Sequence, residues 1–340
     1  IRDRFWLGRY AERAEGLVRL LRVIQLYLAD SQLESISTQE SAFALYQLLR
    51  AVTHTTTLYP GFVGEGYEER LASPESELLS VVIDRNRTGS LAQTLVALLV
   101  TARSVRDRLS IDTLRVINDI DVLLDGLQED KLNGLNDVDD ELDNLITALV
   151  GLSGLISENM THEQGWHFLQ IGRRIERAMH TTTLIRSTIV TATETNQEAM
   201  LVESVLSVID SLMTYKRNFL LGFEVSSFLD LVLLNESNPR SVSYQLMQIQ
   251  EHVAYLPVDR TRQQLSPEER LTLELLTKLR LSNSNELASV GELNAIRENM
   301  DQILTHIQKQ LYELNNVMTA AYFQKDEQIQ QLVPLRPGDM

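Results

Sequence analysis

Two short runs concentrate the side chains that could do chemistry. The first is Gly8-Arg9-Tyr10-Ala11-Glu12-Arg13-Ala14, and Gly172-Arg173-Arg174-Ile175-Glu176-Arg177-Ala178 matches it at five of seven positions, 164 residues later. Spacings of three and four crowd Arg9, Glu12 and Arg13 onto one side of a helix. Arg13 falls close to the line of Trp6, inside an apolar stripe continued by Tyr10, Ala14, Leu17, Leu21 and Ile24. A guanidinium placed there must be paired or face a cavity, because an unpaired buried charge is prohibitive. Two readings follow. In one, the two helices cross and each arginine satisfies a glutamate of the other, a structural ion network. In the other, Arg9, Arg13, Arg173 and Arg177 grip a carboxylate or phosphate and Glu12 and Glu176 orient them. Arg177 falls away from the stripe of Ile171, Ile175, Ala178 and Ile185, so the two runs are expected to use the motif differently. Gly8 removes a side chain and permits close approach. A further candidate is Asn238-Pro239-Arg240-Ser241, read as a helix start with Asn238 as cap and Pro239 in the first turn. Its free amides and Arg240 could also hold a carboxylate or phosphate.

The elements that must position these residues read as helices. All seven prolines fall where apolar periodicity pauses, and none interrupts residues 75–238. Ser73-Pro74, Asn238-Pro239 and Ser266-Pro267 resemble helix starts, and Ser266 with Glu269 has capping-box spacing. Helices are expected near 1–30, 38–57, 74–84, 89–109, 111–128 and 137–158. Others are expected near 164–191, 196–217, 225–234, 239–255, 267–281 and 286–322. Loops are expected at 58–73 and 129–137. The fold class is all-α, a multi-helix bundle of two divergent halves, about 1–160 and 161–322, in one domain spanning 1–322. A weaker echo between Asn86-Arg87-Thr88-Gly89-Ser90 and Asn238-Pro239-Arg240-Ser241 supports the halves. Residues 323–340 read as a C-terminal tail or linker. A first helix already under way at Ile1, without a cap, suggests a segment of a longer polypeptide, a trimmed chain being the blander explanation.

Composition narrows the chemistry. The 340 residues carry 31 basic and 47 acidic side chains, a formal charge of −16, which disfavours nucleic acid as a partner. The chain has no cysteine, so disulfides, thiolate metal sites and a cysteine nucleophile are excluded. No run suits a membrane span or a secretory signal, and the cytoplasm is the most economical location. His162 and His167 lie five apart across Gly165 and cannot share a helix face as zinc ligands do, and no Glu-x-x-His occurs. No phosphate-cradling glycine loop is present, so no metal or cofactor is expected. The acids at Asp137, Asp139, Asp140, Glu141 and Asp143 read as a solvated helix start.

The residues resemble the alpha-E family, all-helical domains carrying an ER motif. The likeness spans about 1–322. It rests on Trp6–Glu15, Ala102–Asp107, Gly165–Ala178 and Asn238–Ser241. It implies a partnership with circularly permuted ATP-grasp ligases, fused or separate, and with transglutaminase-like proteins, in peptide synthesis or modification. The chain departs from the family pattern at Asn86–Ser90 and at Tyr215-Lys216. The expected function is a non-catalytic binding or scaffold module, holding an anionic peptide or acyl group or docking the ligase. The alternatives are an enzyme using Glu12 or Glu176 as general base beside arginines, and a purely structural fusion partner. A glutamate beside arginine has a lowered pKa and makes a poor base near neutral pH, which favours the module.

Overall fold

The computed structural model describes residues 1–32, 38–128, 138–220, 222–257, 264–291 and 294–323. Among these the regular elements are helical, and the extended pairing consists of one isolated bridge, Thr191 with Ile296. The helices are α1 (Arg2–Gln32), α2 (Gln39–Thr56), α3 (Tyr67–Ala72), α4 (Glu75–Ile83) and α5 (Leu91–Ser104). They continue with α6 (Ile111–Gly126), α7 (Val138–Asn159), α8 (Gln164–Thr188), α9 (Thr195–Val208) and α10 (Leu212–Asn218). The last are α11 (Val225–Leu229), α12 (Val242–Val253), α13 (Pro267–Arg280), α14 (Ser284–Ala288) and α15 (Glu298–Met318). The expected loop at 129–137, the acidic position Asp137 and the tail at 324–340 lie outside the described residues.

Helix α1 packs against α8 along its length, and around this pair lie α5, α7 and α2 on the α1 side and α12, α2 and α15 on the α8 side. The apolar periodicity of α1 explains its central place. Phe5, Ala14, Leu17, Leu21 and Ile24 are buried, while Trp6 and Tyr10 are half-buried. On α8 burial extends round most of the circumference, from Phe168 and Ile171 to Gln170, Glu176 and Arg177. A helix enclosed on several sides has no single apolar stripe.

Several expected boundaries are corrected. The helix expected over 196–217 breaks at Asp210, whose φ of +60° ends α9, after which α10 begins; aspartate tolerates this left-handed backbone better than most residues. The helix expected over 286–322 is interrupted between α14 and α15. There Ala192 N–H donates to the Ala295 carbonyl at 2.7 Å and Arg297 N–H to that of Val190 at 2.9 Å. Pairing with a distant segment overrides local propensity. The expected loop at 58–73 carries α3, and Ser73 closes that helix rather than capping α4. The helix over 89–109 stops at Ser104 and passes into a 3₁₀ turn, Arg106–Arg108. The capping box is as expected: Ser266 N–H donates to Glu269 at 2.8 Å, and Glu269 N–H to Ser266 Oγ at 3.3 Å.

Asn238 is not the cap of α12. Ser241 is, its Oγ accepting from Tyr244 N–H at 3.0 Å. Asn238 instead braces the preceding turn, donating to the Leu231 carbonyl at 3.0 Å and accepting from Arg240 N–H at 3.1 Å. The turn entering α5 is built alike. Ser90 caps α5 and its Oγ donates to the Asp84 carbonyl, as Ser241 Oγ does to that of Asn235. Asp84 Oδ1 accepts from the N–H groups two and three residues on, and so does Asn235 Oδ1. The structural counterpart of Asn238 is therefore Arg87, not Asn86.

Candidate functional site: the buried arginine–glutamate clasp

The two glycines of the repeated runs set the geometry. A Cβ on Gly8 would stand 2.1 Å from the Leu169 carbonyl oxygen, and one on Gly172 would stand 2.2 Å from that of Phe5. Helices α1 and α8 thus touch backbone to backbone at two points, which only glycine permits. The residues that follow each glycine are brought opposite the other helix.

Their ion pairs are reciprocal. Arg9 Nε and Arg13 Nε both donate to Glu176, each at 2.6 Å. Arg177 grips Glu12 with two nitrogens, one of them at 2.7 Å, and Arg173 Nε donates to the same carboxylate at 3.1 Å. Each glutamate therefore lies between two arginines of the partner helix, in the bidentate manner that guanidinium geometry favours. Arg9 extends the contact to Asn315 on α15 at 2.6 Å.

A second layer closes one side only. Glu15, 2% exposed, accepts from Arg240 at 2.9 Å and from Arg19 at 3.0 Å, with Arg177 at 3.6 Å. Arg19 and Arg240 also reach Asp210, at 3.3 and 3.4 Å. Glu12, Glu15, Arg19, Arg177, Arg240 and His180 line a cavity of about 20 Å³ that opens to solvent, room for a single water-sized species. On the opposite side Arg13 keeps 34% of its side chain exposed among the described residues, against 9% for Arg177.

For Glu176 and Glu15, burial opposes charge and the neighbouring arginines overcome it. Burial would raise Glu176, but Arg9 and Arg13 hold it down to about 2. Glu15 is held well below the usual carboxylate range by Arg177, Arg240, Arg173 and Arg19, again against burial. Burial lowers Arg177 less than Glu12 and Glu15 raise it, so its pKa is raised. Arg174, beside these, is pushed down to about 9 by burial and by Arg177 and Arg173. It stacks over Tyr244 and donates to Gln245 at 3.1 Å. A carboxylate saturated by guanidiniums and held this low is a stable anion, a poor acceptor for a substrate proton near neutral pH.

The geometry brings seven of the eight expected residues together: Arg9, Glu12, Arg13, Arg173, Glu176, Arg177 and Arg240. Asn238 stands outside, holding its turn. The relative burial of Arg13 and Arg177 is the reverse of the expectation from the stripes, because α8 is enclosed on several sides. Sequence reasoning missed Glu15 and Arg19, whose spacing resembles an ordinary surface pair, and Asp210, His180 and Arg174. Glu15 had a signal, lying one helical turn beyond Glu12 in the same run.

The histidines set aside earlier sit apart from the clasp. His162 stacks on Trp166 with ring centroids 3.7 Å apart, and His167 Nδ1 meets His252 Nδ1 at 3.2 Å. Among the described residues no group of three or more His, Asp or Glu side chains is placed to hold a metal. No helix among them is long and apolar enough to cross a membrane.

A family described as a predicted alpha-helical domain with a conserved ER motif, Alpha-E, matches residues 2–323. The chain belongs to the Alpha-E family. Of the four Glu-Arg dipeptides in the sequence, Glu12-Arg13 and Glu176-Arg177, those of the repeated run, lie at the centre of the clasp. This Alpha-E domain is 31% identical over 324 residues to the uncharacterized protein Rv2567 of Mycobacterium tuberculosis (strain H37Rv) and, equally, to the uncharacterized protein Mb2597 of Mycobacterium bovis. Each match covers 94% of this chain and 36% of the relative, so the chain spans about a third of the length of these curated relatives. No solved structure matches it.

Proposed function

We propose that this Alpha-E domain is a non-catalytic helical scaffold that docks a circularly permuted ATP-grasp ligase, and that its ER motifs serve the scaffold rather than the reaction. The observation that carries the reading is the saturation of Glu12 and Glu176, each buried and held by two arginines of the facing helix. A site meant to grip an anionic peptide or acyl group would leave several guanidiniums without a carboxylate, whereas here Arg9, Arg13, Arg173 and Arg177 are each engaged by a glutamate. The ligase as partner rests on the family resemblance. That the chain corresponds to about a third of its relatives' length supports a domain working beside others. We read the clasp as the join between two divergent halves, 1–160 and 161–322. The reciprocal glycine contacts, the reciprocal ion pairs and the matching turns at Ser90 and Ser241 support this.

Calorimetric titration of the domain with the circularly permuted ATP-grasp protein of the same organism tests the reading. Saturable binding is expected, unchanged by Arg13→Ala. Absence of binding to the ligase would overturn it. In the reconstituted pair, Glu176→Gln is expected to retain product formation wherever the domain stays folded. Loss of product from a folded, ligase-bound variant would restore the general-base alternative.

A further inference from the structure

The clasp carries more positive than negative charge. Six arginines are ion-paired with four carboxylates, Glu12, Glu15, Glu176 and Asp210. Arg174, packed beside Arg173 and Arg177, has no carboxylate partner among the described residues and its buried Nε has no hydrogen-bond acceptor. Seven arginines therefore meet four carboxylates in a chain whose net charge is −16, and the cavity of about 20 Å³ is lined by three of these arginines and two of the carboxylates. Uncompensated buried charge is costly, so a compensating anion is favoured over neutral solvent.

The cavity between α1, α8 and the start of α12 is where such an anion fits. Arg19, Arg177 and Arg240 line it, and the buried His180 Nε2 beside it has no hydrogen-bond partner among the described residues. Glu12 and Glu15 also line it; both Glu12 oxygens accept from Arg177, Glu15 Oε1 accepts from Arg19 and Arg240, and Glu15 Oε2 faces Arg177 at 3.6 Å and Arg173 at 4.0 Å. Its space of about 20 Å³ matches one solvent-sized species. We infer that this cavity is a binding site for a single monatomic anion, a halide, held by Arg177 and Arg240 and accepting a hydrogen bond from His180 Nε2–H. Neutral imidazole supplies that donor when its proton sits on Nε2.

The inference is tested in crystals grown in sodium bromide and in thermal melts. An anomalous bromide peak within hydrogen-bond reach of His180 Nε2 and a guanidinium is expected; a water there without anomalous signal overturns the inference. In solution, replacing gluconate by chloride at constant ionic strength should raise Tm to a plateau. His180→Phe and Arg240→Gln should each abolish that plateau whatever their own Tm. A wild-type Tm indifferent to the exchange, or variants that follow the same chloride curve, would overturn it.

Discussion

Gly8 lies against the Leu169 carbonyl just as Gly172 lies against that of Phe5, and an added Cβ would come within 2.1 and 2.2 Å of those oxygens. The obstructing atoms are backbone and cannot swing aside. Helix propensity alone would make Gly→Ala stabilising by about 1 kcal/mol. Overpacking at a rigid contact costs about 1–3 kcal/mol and parts the clasp as well. Gly8→Ala and Gly172→Ala should therefore each lower unfolding free energy by up to about 2 kcal/mol in urea titrations. A gain in stability at either site would contradict the backbone contact.

Arg13 and Arg177 occupy matching places in the repeated run, yet their substitution should have unequal effects. Arg177 is buried among Glu12 and Glu15, and removing one partner of a buried pair costs about 3–5 kcal/mol. Arg13, a third exposed, contributes about 1 kcal/mol. Arg177→Met and Arg13→Met compared by urea denaturation should reproduce that order, and equal losses would contradict it.

Acid should weaken the clasp in a definite window. Glu176 has its pKa lowered from 4.5 to about 2. Its contribution is therefore complete above pH 4.5 and is lost as pH falls toward 2, to the extent of about 3 kcal/mol. Glu15 shifts in the same direction. Glu176→Gln should be less stable than wild type at neutral pH, but its stability should fall less steeply below pH 4.5. Parallel curves would show that the carboxylate is not held low in the fold.

A second window belongs to the histidine pair. Burial, His167, Arg174 and His162 lower His252 from 6.5 to about 3, so it stays neutral in the folded protein. Stability is full above pH 6.5 and declines as pH falls toward 3, by up to about 1.4 kcal/mol per pH unit for one proton. His252→Asn should flatten the decline between pH 6.5 and 4.5, above the carboxylate window. His167, also lowered chiefly by burial, leaves a residual slope. An unchanged slope in the variant would contradict the assignment.

Elements whose cause is local were legible in the sequence. The Ser266–Glu269 capping box, the apolar spacing of Ala14, Leu17, Leu21 and Ile24, and the duplicated Gly-Arg-x-x-Glu-Arg run are patterns within one helix. Reading Arg13 as a charge needing company led to the crossing of α1 and α8. What was not legible depends on distant partners. The break before Glu298 is set by backbone pairing with residues 190–192, and Arg297 is fixed there by the Ile189 carbonyl at 2.8 Å. Glu15 and Arg19 carry the spacing of a solvent-exposed pair, and only the approach of Arg240 and Asp210 makes them part of the clasp. Asn238 looked like a cap because Pro239 follows it, but the turn continues to Ser241.

The account turns on Glu12 and Glu176 holding two helices together. A double-mutant cycle of Glu12→Gln and Arg177→Met, read as unfolding free energies in urea, measures that role directly. A coupling of about 2 kcal/mol or more is predicted, as for contacting buried charges. Effects that add to within about 0.5 kcal/mol would contradict the clasp.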